Sequence, residues 1–323
     1  MEVLKFKNLY ERNNLGAELP VAFKFLENLE NEFINIDDID EERLDEIIEY
    51  LVNKRANTIE NFIILMRYYK VIEKNNLYIH LTRYTGMLDV VDNILKRLKA
   101  TVEKQTYELV IDGYQLPFLG VAPKDLPYYI DDFMKRLDDN LNDDLVKKVL
   151  TGNNHDVSEK TQLREKIEYE NSLNLKTYLQ ERHARKVKEL EEHRLLNKVW
   201  FEQTITEEVV DFVRSNQEVL SASLVNEKLY ITKIPYDTVN YLSATDEITR
   251  KYFGCHCPFA REAIRSGEPK LDYRFCYCSA GFAKFPFEVI LGTKLPIKTL
   301  ETILSGSDIC RFEIDLHNIE YKK

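Results

Sequence analysis

The sequence predicts an α+β protein, with a mostly helical N-terminal region followed by a small α+β C-terminal domain built on an antiparallel sheet. Three observations carry this. Glycine and proline are scarce, ten and nine in 323 residues, and over the earlier part of the chain apolar residues recur at helical rather than alternating spacing. Near residue 204 the pattern changes to short runs of β-forming residues. All five cysteines fall in this later part, at positions 255, 257, 276, 278 and 310. By character the chain divides into a helical domain, 1–155, a charged helical connector, 156–203, and a cysteine-containing α+β domain, 204–323.

Taken in order, Asp40 to Lys54 sets Leu44, Ile47, Ile48 and Leu51 on one helical face. Thr58 reads as the cap of a second helix carrying Ile59, Phe62, Ile63 and Met66. A third runs from Leu88 to Val102 through Val91, Ile94, Leu95 and Leu98. Asp112-Gly113, three prolines and Gly120 make 111–127 a long loop. Helices resume at 127–137 and 143–150 and stop at Thr151-Gly152. One charged helix is expected from Glu159 to Trp200, its Arg182-His183-Ala184-Arg185-Lys186 cluster lying on a solvated face. Thr204-x-x-Glu207 resembles a capping box for a helix over 207–215. Val219–Val225 and Lys228–Pro235 flank Asn226-Glu227 as a hairpin. Helices follow at 258–265 and 279–291. The segment 295–303 reads equally as strand or helix. The strand 309–315 places Cys310, Phe312, Ile314 and Leu316 on its apolar face.

Composition excludes some function classes. With 45 basic against 55 acidic residues and a formal net charge of -10, the chain lacks the basic footprint that nucleic acid requires. The acidic stretch Glu30 to Glu49 reads as solvated surface. No apolar run approaches the roughly 18 residues of a membrane span, and the start does not have the form of a signal peptide. The chain therefore reads as cytoplasmic. In a reducing compartment clustered cysteines bind metal more often than they form disulfides. The partners expected are a small-molecule ligand and further copies of the chain, not nucleic acid or membrane.

The cysteine spacing points to a metal or a reactive thiol. Residues i and i+2 share a face on a strand but diverge on a helix, so each Cys-x-Cys pair holds one metal only outside a helix. Cys257 precedes Pro258, and Cys278 precedes Ser279-Ala280-Gly281, which puts both at helix starts where thiolates are stabilised. Zinc on a set drawn from Cys255, Cys257, Cys276, Cys278 and Cys310 is the expected centre. If 295–303 is a strand, Glu301 shares the face of Leu295, Ile297 and Ile303 and becomes a candidate fourth ligand. His256 is the one histidine weighed as a ligand. His155-Asp156 reads as a capping or surface pair. His183 and His193 face different ways on their helix. GxGxxG, GxxxxGK and Gly-x-Ser-x-Gly motifs do not occur.

The segment from Phe275-Cys276-Tyr277-Cys278 to Gly292, followed by Glu301 to Phe312 with Gly306 and Cys310-Arg311-Phe312, resembles the 4-vinyl reductase-like domain. Cys257-Pro258, the cysteine pair and Gly306-Ser307-Asp308-x-Cys310-x-Phe312 are also similar to the aminothiazoline carboxylate hydrolase family. The whole chain resembles a bacterial family of unassigned function that carries such a domain. The resemblance implies a small α+β fold holding zinc on Cys276 or Cys278, Glu301 and Cys310. Leu304 stands where the family's remaining cysteine belongs, so Cys255 or Cys257 would replace it. Two functions are expected from these residues. The first is a small-molecule or metal-binding protein with a cysteine-rich zinc site. The alternative is a hydrolase of a small cyclic C–N or C–S substrate, using Cys257 or Cys278 as nucleophile or a metal-bound water.

Overall fold

A computed structural model describes residues 3–86 and 89–323. The chain forms two compact units. The first is Met1–Leu88 with Pro117–Pro123, and the second is Asp89–Leu116 with Lys124–Lys323.

The first unit is helical among the described residues: α1 (Val3–Arg12), α2 (Leu19–Phe33), α3 (Glu41–Asn53), α4 (Ile59–Val71) and α5 (Asn75–Thr85). Asp40 and Thr58 cap α3 and α4 by accepting from the Arg43 and Asn61 amides. The face of α3 is the predicted one, Leu44, Ile47, Ile48 and Leu51. In α4 the core residues are Phe62, Ile64, Leu65, Tyr68 and Tyr69, while Ile59 is exposed and Ile63 and Met66 are half-buried. Two tyrosines offer more area to bury than the aliphatic stripe, and they turn the helix. The segment 117–123 closes on this unit through Asn57 Nδ2, which donates to the Leu119 carbonyl at 2.7 Å.

The second unit begins with α6 (Val90–Thr101), α7 (Lys104–Ile111), α8 (Leu126–Asn140) and α9 (Asp143–Leu150). The predicted start of α6 at Leu88 lies outside the described residues. The expected single charged helix is two, α10 (Leu163–Asn171) and α11 (Leu175–Leu195). Ser172 turns its hydroxyl onto the Glu168 carbonyl, and Asn174 accepts from the Thr177 amide as a fresh N-cap. These helices pack within the second unit, with Tyr169, Leu175, Tyr178 and Leu179 in the core of the sheet. The arginine cluster is correspondingly not all solvated: Arg182 is buried against the Phe287 ring.

Next come α12 (Glu207–Arg214), the irregular turn α13 (Glu218–Ser221), β1 (Ser223–Val225), β2 (Lys228–Thr232), α14 (Thr238–Ser243), α15 (Glu247–Gly254), α16 (Pro258–Ser266) and α17 (Tyr277–Leu291). Strands β3 (Ile297–Glu301) and β4 (Arg311–Asp315) complete a four-stranded antiparallel sheet in the order β1-β2-β4-β3. Thr206, rather than Thr204, is the N-cap of α12, without a side-chain cap bond. The predicted hairpin forms, with Asn226 and Glu227 at φ +48° and +59°; two left-handed residues match the twist of the paired strands. Leu229, Ile231, Phe312, Ile314 and Leu316 face the helices and meet Leu175, Tyr178, Phe287 and Ile290. Among the described residues no helix is long and apolar enough to cross a membrane.

Candidate thiol centre

Four thiols converge from three places in the second unit. Cys255 and Cys257 stand in the link between α15 and α16, Cys276 closes a 3-10 turn at the start of α17, and Cys310 precedes β4. Cys255, Cys276 and Cys310 are buried, and Cys257 is half-buried. Local sequence explains each placement. Gly254 lies so close to Ile303 that an added Cβ would come within 2.7 Å of its Cδ1, which draws the 255–257 link against the loop before Cys310. Pro258 starts α16 and leaves Cys257 as its N-cap. The strand alternation turns Cys310 inward with Phe312 and Ile314.

The four thiols act on one another. Burial pushes Cys255 up to about 12, with Cys310 adding to it. Burial, then Cys310, Cys255 and Cys257, raise Cys276 well above its ordinary value. Cys257 is raised by burial and then by Cys255 and Cys278, and Cys310 is raised by burial. All five cysteines are free thiols. Among the described residues no three or more His, Cys, Asp or Glu side chains stand ready to hold a metal ion. The donor chemistry suits a thiophilic cation.

Helix geometry separates the second cysteine pair. α17 begins at Tyr277 with Cys276 as its N-cap, not at Ser279, so Cys278 lies inside the first turn. There its Sγ is 3.9 Å from His155 Nε2. Burial raises the Cys278 thiol, and a bond from Asn154 offsets part of this. His155 packs edge-on against Phe282. His155 is exposed as a residue, yet desolvation by the protein around it and the charge of Lys233 lower it to about 4. His155 and Asp156 are exposed, as the surface reading expects, and His155 in addition faces the Cys278 thiol.

Glu301 does not join the thiols. Residues 297–301 are a strand, but the register slips between Thr299 and Glu301, so Glu301 stands opposite Arg311 instead of following Ile297 inward. The bulge moves it to the outer face, where Glu301 Oε2 accepts from Ser307 Oγ at 2.8 Å. His256 is also otherwise engaged, its Nε2 against the Ile234 carbonyl and its ring edge-on to Tyr236.

Sequence reading passed over Lys233, Arg261 and Glu202. Lys233 follows β2, donates to Ser279 Oγ at 3.1 Å and lies over the Phe282 ring. Arg261, one turn beyond Cys257, is buried with its guanidinium 3.6 Å from the Tyr236 ring centroid. Burial raises the Glu202 carboxyl against the pull of Arg261 and Lys233. The one sequence signal for Arg261 was its place between Ala260 and Ala263 on the small-residue side of α16. Comparison of the chain with family models, with curated proteins and with solved structures finds no match.

Proposed function

We propose that this is a metal-binding protein whose second unit holds a thiophilic divalent ion, zinc, on Cys255, Cys257, Cys276 and Cys310. The observation that carries this reading is the convergence of four free, largely buried thiols from three separated segments, close enough for each thiolate to disfavour the next. A buried cation converts that mutual repulsion into coordination, and thiolate is the donor zinc prefers in closed sites. Free thiols suit a reducing compartment, which supports a cytoplasmic setting.

Metal analysis of the full chain, purified without added metal, tests this. About one zinc per chain is expected, with chelator exposing four further thiols to a disulfide reagent. Cys310→Ser should lose the metal and several kcal/mol of stability, because binding is coupled to folding. Cys278→Ser should retain the metal. Equal, small effects of Cys310→Ser and Cys278→Ser on metal content and thermal unfolding would sink the centre.

A second reading rests on the Cys278–His155 contact. A hydrolase of a small cyclic C–N or C–S substrate would use Cys278 Sγ as nucleophile, with His155 Nε2 taking the thiol proton. Iodoacetamide labelling near neutral pH separates the readings. Fast alkylation of Cys278 that slows in His155→Ala favours the nucleophile, whereas protection of the other four thiols lifted by chelator favours the metal.

A further inference from the structure

Arg261 is 4% exposed, yet among the described residues no carboxylate forms an ion pair with it. Glu262, its neighbour in sequence, is bonded to Arg265 and Tyr252 instead. A guanidinium withdrawn from water is costly unless an anion meets it. Its face lies on the Tyr236 ring, whose phenol also favours the guanidinium charge, and the fork of N–H donors meets no carboxylate among the described residues. Tyr236 is itself 6% exposed, and its buried hydroxyl has no hydrogen-bond partner. A buried phenol without a partner is rare in folded chains and marks a place where an acceptor belongs. Lys233, three residues earlier on the same segment, has no carboxylate partner among the described residues and bonds only Ser279 through its ammonium. His256 ties the two sides together, since its Nε2 meets the carbonyl of Ile234 and its ring meets Tyr236. Both cations act on Glu202, His256 and Cys255, so they flank one region. Glu202 feels both cations but forms no ion pair with either among the described residues, and burial disfavours its charged form.

We infer that Arg261, Tyr236 and Lys233 form a binding site for the oxyanion group of a small molecule. The guanidinium edge supplies two parallel donors, the phenol a third and the ammonium a fourth, a set suited to a carboxylate or a phosphate. The site does not rest on the metal reading, since none of its three groups is a thiol.

Calorimetric titration of the full chain with inorganic phosphate and, separately, acetate tests it, with ionic strength held constant by chloride. One saturable site per chain is expected, and the tighter anion tells tetrahedral from planar chemistry. Tyr236→Phe and Lys233→Met should each weaken binding by about tenfold, the loss of roughly one charge-assisted hydrogen bond. Arg261→Met should abolish binding, and the two milder variants carry the test if that chain does not fold. No saturable binding of either anion, or affinity unchanged in both milder variants, overturns the inference. So does a loss of bound zinc in those variants with anion affinity intact, because the cations would then serve as countercharge to the thiolates. A chain that binds the anion but no zinc refutes the metal reading alone.

Discussion

At Gly281 a single hydrogen decides how α17 meets the loop after α9. A Cβ there would come within 2.1 Å of the Gly152 carbonyl oxygen and 2.8 Å of its nitrogen, both backbone atoms that cannot swing away. A Cβ on Gly152 would instead strike the guanidinium of Arg97 at 2.0 Å, the end of a flexible side chain. Gly281→Ala should therefore cost about 3 kcal/mol, and Gly152→Ala about 1 kcal/mol, through overpacking and the lost Arg97–Asn154 bond. Denaturant melts of the two variants check this, and equal losses would contradict the geometry. The same contact positions Asn154 and His155 beside Cys278, so Gly281→Ala should also change alkylation of that thiol. In the sequence Gly152 reads only as a helix stop and Gly281 only as part of a helix opening; close approach of two backbones leaves no local signature. Glu301 illustrates the same limit, because one bulged residue sends its carboxylate to the opposite face of the sheet.

Among the elements, α17 carries a carboxylate that no sequence pattern marks for burial. Glu288 is 8% exposed and receives Lys284, Lys294 and the Leu295 amide. Burial works against its charge, but these donors outweigh it and hold the carboxyl below its ordinary 4.5. A depressed folded-state pKa means stability that is present above 4.5 and lost as pH falls through the folded value. Glu288→Gln should thus lower stability by about 1–3 kcal/mol at neutral pH, with the difference shrinking as both chains are acidified. Urea melts between neutral pH and pH about 3 measure this; a gap independent of pH would rule the ion pairs out as its source. Elements defined by short-range chemistry were readable: the cap at Thr58, the Asn226-Glu227 hairpin, and the start of α16 at Pro258 behind Cys257. The break between α10 and α11 was not, because helix-compatible residues surround Ser172 and Asn174 and the competing side-chain bonds appear only once the chain turns.

For the whole molecule, the unit boundaries cut across chain order. Residues 117–123 complete the first unit although 89–116 belong to the second. Gly120 makes that return work, with φ +94° and no room for a Cβ, which would lie 2.7 Å from Val52 Cγ2. Gly120→Ala should destabilise the first unit by about 2 kcal/mol from backbone strain and crowding together. Faster hydrogen exchange in α3 is the readout, and unchanged protection there would show that the segment is not part of that unit. A division read from composition follows the order of the chain and has no means of finding a segment that returns.

The sequence by itself determined the α+β class, the helical character of the first half, the antiparallel hairpin and the location of every thiol. Each of these follows from side-chain periodicity, turn chemistry or residue type, which act over a few positions. Tertiary structure alone decided which cysteines lie near one another, that Cys278 sits inside the first turn of α17 beside His155, that Glu301 faces away, and that Arg261 and Lys233 form no ion pair with a carboxylate among the described residues. Those outcomes depend on a bulge, on helix phase and on the burial of charge among segments up to 123 residues apart, and no local pattern encodes such distances.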